Sequence, residues 1–421
     1  MPSIYAAGQD FRRYQDNELI TTTTHEGVVA ARLADLGIVV VKRTRAPELG
    51  LTRLRLQDAR LAAGTLSMAV GARARSAAPS DPLDQVLWGL RELFAERWAG
   101  WTPTLGKNRL VGSVTGVGEI SHGRRSGPVA PAGEISHGGT SQPSRVATGW
   151  PARRPGPGRG VRVGVLDAAL TPVPWFTDGA RAGWGSRILP GVAPTLADAH
   201  ATFVTGLILS QAPSAEVEVR GVLRDGVGES WEVAREIVAL GNSGIDVLNL
   251  SLVCYTDDGQ PPMAIGHAID RLDPRVVVVA AAGNHGNQED ERERILASWP
   301  AGLDEVVAVG SAGFDDGGAP VRSAFTPDAP WVDALAPGEH LVSCFPDRVQ
   351  VGDRLEEFGG WARWSGTSFA AALVSGAIAS SVDPGRVSAR ESVDALLRAG
   401  RQGASVRVGP LPVPFLPIGR P

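Results

Sequence analysis

Cysteine is scarce in this chain: Cys254 and Cys344 are the two present in 421 residues. So few cysteines exclude a disulfide framework. Long hydrophobic runs are missing as well. No stretch of about 18 consecutive apolar residues occurs, which excludes a conventional membrane-spanning helix. Met1 to Ile20 carry Asp10, Arg12, Arg13, Asp16 and Glu18, and contain no apolar core of signal-peptide length. A cytoplasmic protein is the resulting expectation. A large excess of one charge is also lacking. The net charge of −4 gives no strong pull toward nucleic acid or an anionic membrane, so neither is expected as a partner. What is there is ordinary for a globular chain, 43% hydrophobic and 20% charged. The length is enough for more than one core.

Residues 1–114 read as a small α+β unit. Asn17–Thr24 has strand character. His25–Leu36 has helical spacing at Val28, Val29, Leu33 and Leu36, closed by Gly37. Ile38–Val41 is a β-branched strand, and Leu51–Leu56 alternates as a half-buried one. Asp81–Trp98 is a helix with Asp81 as cap, Pro82 in its first turn and an apolar face of Leu83, Val86, Leu87, Leu90, Leu93 and Phe94. A last strand is expected at Asn108–Val114. The order β-α-β-β-α-β is that of a ferredoxin-like module.

Residues 115–160 lose apolar periodicity and are rich in Gly, Pro, Ser and Arg, as a linker is. Within them Gly118-Glu119-Ile120-Ser121-His122-Gly123 recurs as Gly133-Glu134-Ile135-Ser136-His137-Gly138. Two copies are too few for a solenoid, and His122 and His137 lack the flanking ligands of a metal site. From residue 161 to about 400, strands and helices alternate. Strands are expected at Val161–Leu166, Val217–Leu223, Ile245–Leu252, Val276–Ala281 and Glu305–Val309. Helices are expected at Ala201–Leu209, Ser230–Leu240 (with Ser230 as cap) and Met263–Leu272. Such alternation implies an α/β domain with a mostly parallel sheet covered on both faces. Residues 401–421 form a Pro-rich tail, expected to be extended.

Chemistry concentrates at four places. Trp364-Ser365-Gly366-Thr367-Ser368 leads straight into an apolar helix, which puts Ser368 near a helix N-terminus where free N–H groups favour a developing negative charge. Asp167 closes the strand Val161–Leu166. His200 stands at the start of the helix beginning Ala201-Thr202-Phe203. Asn284 follows the strand that ends in Ala281-Ala282-Gly283. Functional residues of parallel sheets gather at such strand ends. A serine needs a base to become a nucleophile, the base needs an orienting carboxylate, and the oxyanion needs amide donors already in place.

The order Asp167, His200, Asn284, Ser368, with the segments His200-Ala201-Thr202-Phe203-Val204-Thr205-Gly206 and Gly366-Thr367-Ser368-Phe369-Ala370, resembles the subtilisin-like serine protease family over about residues 160–400. Ile245–Leu252, Trp299-Pro300-Ala301 and Ala334–Gly338 are similar to further family segments. The resemblance implies a subtilisin-like three-layer α/β domain. It also implies a serine endopeptidase acting through an acyl-enzyme on protein or peptide substrates. Ser368 would be nucleophile, His200 general base and acid, Asp167 orienting carboxylate and Asn284 oxyanion donor. Ser251, Leu252 and Val253 would line one side of the primary pocket, and Ala281, Ala282 and Gly283 the other.

By the same resemblance, residues 1–114 would be a propeptide inhibiting the site in cis, or an attached accessory domain. A cut to release it is expected within residues 113–160. No cofactor is required. The family leaves room for structural Ca²⁺, with no site identified; Glu289, Asp290, Glu291 and Glu293 read as a solvated loop because Arg292 and Arg294 interleave them. Three departures stand out: Ala168-Ala169 after the aspartate, Ala372 where a proline is usual, and Val253 where a glycine is expected. Two other functions stay open on sequence alone, a processing protease dedicated to one partner and a pseudoprotease that only binds peptide.

Overall fold

The computed structural model describes residues 14–113, 142–147, 149–150, 154–176, 193–256, 258–288 and 291–419. Val114, both copies of the hexapeptide repeat with His122 and His137, and Glu289 and Asp290 lie outside the described residues.

The first unit runs β1 (Tyr14–Thr22), α1 (Glu26–Asp35), β2 (Val40–Ala46), β3 (Leu51–Leu56), α2 (Ala59–Val70), α3 (Pro82–Arg97) and β4 (Leu105–Ser113). Helix α3 begins where its cap places it: the Asp81 carboxylate accepts from the Asp84 N–H at 3.0 Å. Helix α2 is an addition to the sequence expectation. Asp58 caps it, and its buried face is made largely of Ala59, Ala62 and Ala63, too slight an apolar signal to register as a helix. The strands pair antiparallel in the order β4-β1-β3-β2.

Strand alternation gives this sheet two buried faces. Leu19 and Leu54 pack with Val29, Leu33, Leu66 and Leu90 of the unit's own helices. Ile20, Ala46, Leu49, Leu51 and Val111 instead join the core of the larger unit. The first unit therefore does not stand free.

The rest of the chain runs β5 (Ser144–Arg145), β6 (Arg162–Ala168), α4 (Leu196–Gln211), β7 (Glu216–Leu223), β8 (Val227–Glu229), α5 (Ser230–Gly241), β9 (Val247–Leu250), β10 (Leu252–Tyr255), α6 (Met263–Ile269) and β11 (Val277–Ala281). It continues through α7 (Glu291–Arg294), β12 (Ser298–Trp299), β13 (Val306–Phe314), β14 (Pro320–Arg322), β15 (Ala334–Pro337), β16 (Leu341–Cys344), β17 (Arg348–Val351), β18 (Arg354–Glu357) and β19 (Trp361–Trp364). It ends with α8 (Thr367–Ser381), α9 (Ala389–Gln402), β20 (Ser405–Val408) and β21 (Leu411–Pro414).

The central sheet has the order β14-β13-β11-β9-β6-β7, with β15 also on β13. Its strands are parallel except β14. Helix α4 packs beside α8, and α5 beside α6, against the central sheet. Every residue of β9 and β11 is buried, as a sheet covered on both faces requires. From β6 the chain turns one way to β7 and then crosses back to β9. The switch point therefore lies between β6 and β9, where a crevice opens at the strands' carboxyl ends.

Two local expectations are corrected. Ile245–Leu252 is not one strand: β9 stays in the parallel sheet, whereas β10 leaves it after Ser251 and pairs with β12 and β4. Ser230 does not cap α5. Its hydroxyl accepts from the Arg109 N–H at 2.9 Å, while Asn108 Oδ1 of the first unit takes the Trp231 N–H at 3.1 Å. The tail, expected to be extended, also docks: β20 and β21 form a hairpin, and Leu416, fully buried, donates its N–H to the Leu335 carbonyl at 2.7 Å. The described end of the stretch read as linker also lies on the larger unit. β5 pairs with β19, and Trp150 packs edge-on against Trp175 and Trp361.

Candidate active site

Asp167 is the second-last residue of β6, so its side chain emerges at the crevice end of the central sheet. Its Oδ1 accepts from the Ala168 N–H at 2.7 Å. Opposite it is His200. The sequence expectation put His200 at the opening of its helix, but α4 begins earlier. Thr195 and Asp198 form a reciprocal capping box, and His200 sits in the second turn. The Thr195-x-x-Asp198 pattern was legible in the sequence and marks that earlier start. The placement matters because a mid-helix histidine is held by packing. The His200 ring stacks obliquely on Phe369, centroids 5.5 Å apart, and edge-on against Trp364 at 6.0 Å.

The His200 Nδ1 lies 2.8 Å and 3.0 Å from the two Asp167 oxygens, and both residues are 0% exposed. A carboxylate on Nδ1 fixes the tautomer and leaves Nε2 as the working nitrogen. Nε2 is buried and has no hydrogen-bond partner among the described residues. Such an atom is costly, and a role in proton exchange is one reason a fold carries it.

Ser368 is the second residue of α8 and is also 0% exposed. The helix is buried along almost all its length from Thr367 to Ala379, so it is a rigid mount. Gly366 precedes it with φ 167°, an extended conformation open to any residue. What the position asks of glycine is space: a Cβ there would come within 3.3 Å of Asn284 Nδ2 and 3.4 Å of the Phe369 ring. The Ser368 hydroxyl is directed at the Ser251 carbonyl, 3.5 Å away, and not at His200.

A buried chain of hydrogen bonds that the sequence gave no sign of holds this turn from behind. Ser375 Oγ donates to Asn249 Oδ1 at 3.0 Å, Asn249 Nδ2 donates to Ser251 Oγ at 2.9 Å, and Ser251 Oγ donates to the Ser368 carbonyl at 3.1 Å. Asn284 is fixed as firmly. Its Oδ1 accepts from the Thr367 N–H and the Thr367 hydroxyl, both at 3.0 Å, which turns its Nδ2 toward the start of α8.

Behind Asn284 sits His285. Its Nδ1 accepts from the Tyr255 hydroxyl at 3.0 Å and its Nε2–H donates to the Leu296 carbonyl at 2.9 Å. Burial pushes the His285 pKa down to about 4 and raises that of Tyr255. Ser298 closes the same corner: a Cβ on Gly283 would lie 2.6 Å from Ser298 Oγ and 2.8 Å from His285 Nδ1. Of the residues expected to line a pocket, Ser251, Leu252 and Val253 lie at the β9–β10 break, and Ala281, Ala282 and Gly283 at the end of β11. Both sets border the same crevice. Among the described residues no three His, Cys, Asp or Glu side chains come together to hold a metal ion. No helix among them is long and apolar enough to cross a membrane.

The last residues of β4 run through this crevice. Leu110, Val111 and Gly112 pair antiparallel with Glu229, Gly228 and Val227 on one side. Gly112 and Ser113 pair with Val253 and Leu252 on the other. Val253, the residue in place of an expected glycine, thus still pairs through its backbone.

Comparison with known proteins agrees with this architecture. The model of the Subtilase family matches residues 158–399. The chain is 30% identical over 233 residues to Subtilisin BL of Lederbergia lenta, covering 53% of this chain and 76% of that protein. It is also 30% identical over 260 residues to Mycosin-4 of Mycobacterium tuberculosis, covering 52% of this chain and 55% of that one. Among solved structures, fervidolysin from Fervidobacterium pennivorans, a keratinolytic enzyme related to subtilisin, superposes with a TM-score of 0.55 at 16% identity. That match covers 89% of this chain and 55% of fervidolysin, and shows a shared fold. With its parallel sheet, its switch-point crevice and this match over more than half its length, the chain belongs to the Subtilase family of serine endopeptidases.

Proposed function

We propose that this chain hydrolyses peptide bonds through Ser368, His200 and Asp167, with residues 1–114 as a cis-acting inhibitory propeptide. Residues 115–160 form the joining segment, 161–400 the protease domain and 401–421 its C-terminal tail. The observation that carries this reading is the buried Asp167–His200 pair packed against the first turn of α8, with Nε2 unpartnered. A rotation of the Ser368 side chain away from the Ser251 carbonyl brings its proton to that nitrogen. Ser368 Oγ then attacks the substrate carbonyl, and His200 passes the proton to the leaving amine. Asn284 Nδ2 and the N–H groups at the start of α8 hold the oxyanion. Water next cleaves the ester, with His200 as base.

The inhibitory role is supported by β4, which fills the crevice as an added strand while Asp167, His200 and Ser368 stay wholly shielded from solvent. Docking of the first unit supports it too. Asn108, fully buried, donates to Glu229 at 2.9 Å and caps α5, and the Arg53 guanidinium lies over the Trp231 ring at 5.2 Å.

The test is intact-mass analysis of the wild type beside Ser368→Ala, with labelling by a serine-directed phosphonate. Expected are loss of the first unit by a cut within residues 113–160, and labelling, in the wild type alone. Equal labelling of both chains would remove Ser368 as nucleophile. A fully active wild type with its Met1 terminus intact would remove the propeptide role.

A further inference from the structure

We infer that Trp364 is a positioning residue for the proposed reaction. Its indole and the Phe369 ring wall in the His200 imidazole, so that Nδ1 stays on Asp167 and Nε2 stays free to take the serine proton. This rests on the proposal that His200 is the general base.

Hydrogen bonding alone leaves the imidazole under-determined. Asp167 offers both of its oxygens to Nδ1, at 2.8 and 3.0 Å, and among the described residues nothing bonds to Nε2. The ring can rock across that fork and keep a bond throughout. The outer torsion of a histidine side chain is also broad and roughly two-fold, so a flip that turns carbon toward Asp167 has to be opposed by packing. Aromatic rings oppose it. The imidazole meets Phe369 obliquely, at 39° with centroids 5.5 Å apart, and Trp364 nearly at right angles, at 86° and 6.0 Å. His200 is fully buried, so rotation of its ring has to displace these packed neighbours.

Both walls belong to the turn that carries the nucleophile. Trp364 is the last residue of β19, and Phe369 follows Ser368 directly. Strand pairing fixes Trp364 opposite Leu341 of β16. Its indole is buried and is backed by Phe203 at 5.7 Å, Phe345 at 6.0 Å and Phe369 at 5.2 Å. Phe203 stands three residues after His200 on α4, hence on the same face of that helix, and packs on Phe369 at 4.5 Å. The helix of the base is thereby keyed to the turn of the nucleophile through one aromatic cluster. A residue at each end of that turn touches the base, so base and nucleophile keep their relative places while the Ser368 hydroxyl still lies on the Ser251 carbonyl.

The test is kcat and KM on a peptide anilide, starting from the full chain, per active site titrated to completion with the serine-directed phosphonate. Trp364→Leu opens one wall, and a misplacement of about 1 Å at Nε2 should lower kcat about 100-fold with KM within about threefold of the wild type. Trp364→Phe keeps a ring at this place and should recover about 10-fold or more of that loss. Phe345→Leu is the control. It removes a buried ring that touches Trp364 but, among the described residues, makes no ring contact with His200. Its kcat should stay within about threefold of the wild type. An unchanged kcat in Trp364→Leu, no recovery with Phe, or an equal loss in Phe345→Leu overturns this inference and leaves the serine-protease reading intact. If Trp364→Leu shows no cooperative unfolding in urea, Trp364→Met, unbranched and nearer in volume, takes its place with the same expected outcomes. A wild type that neither turns over the anilide nor takes the phosphonate removes both readings.

Discussion

His285 makes the fold sensitive to acid from directly behind the proposed oxyanion donor. The imidazole is held neutral: Nδ1 accepts the Tyr255 O–H, Nε2–H donates to the Leu296 carbonyl, and burial lowers its pKa from the usual 6.5 to about 4. In the unfolded chain the same group takes up a proton once the pH falls below about 6.5. Between that value and 4 the unfolded state binds more protons than the folded one, so stability is lost as pH falls through this window and is fully present above it. A shift from 6.5 to about 4, at about 1.4 kcal/mol per unit, amounts to about 3 kcal/mol.

The perturbation is His285→Gln in the Ser368→Ala background, which prevents self-digestion. Glutamine does not titrate, so it removes the acid penalty whatever it costs at neutral pH. Urea unfolding of both chains is followed from about pH 8 to about pH 4. The stability of the chain retaining His285 should fall by about 3 kcal/mol more than that of the variant across this range. The carboxylates common to both chains cancel in that difference. A difference below about 1 kcal/mol would refute the reasoning, because His285 would then be taking up its proton inside the folded protein.

Asn284→Leu removes the side-chain oxyanion donor and the acceptor that fixes Thr367. It should cost about 10²- to 10³-fold in kcat on a peptide anilide with little change in KM, and an equal loss in both would mean a misplaced cleft. Asn108→Ala removes the cap on α5 and the bond to Glu229, together worth about 3 kcal/mol of docking. Added trypsin should then reach Lys107 and Arg109 of the Ser368→Ala chain roughly 100-fold faster, and an unchanged digestion rate would show that the first unit is held elsewhere.

Much of the site could be read from the chain because its parts are local. A strand ending in Asp167, a Gly-Thr-Ser turn opening an apolar helix and an Asn after Ala-Ala-Gly each depend on residues within a few positions of one another. Backbone geometry alone gives such side chains their direction. Helix α3 was equally legible, since Asp81, Pro82 and a wide apolar stripe all agree. Helix α2 was not, because alanines bury a helix face without announcing it. The single strand expected at Ile245–Leu252 failed for a different reason: its apolar run is continuous, and no local pattern marks Ser251 as the residue where the backbone changes sheets.

The sequence by itself determined the alternating order of elements, the residue types of the site and their order along the chain, for these follow from periodicity, capping and local turn chemistry. Tertiary structure alone decided that Asp167 and His200 meet with Nε2 left over, and that the Ser368 hydroxyl faces Ser251. It alone placed Asn108 of one unit as the cap on a helix of the other, and the end of β4 between β8 and β10. Each of these joins residues far apart in the chain. Such partners are selected by the burial and hydrogen-bond satisfaction of the whole fold, and that selection leaves no trace in the local pattern of either partner.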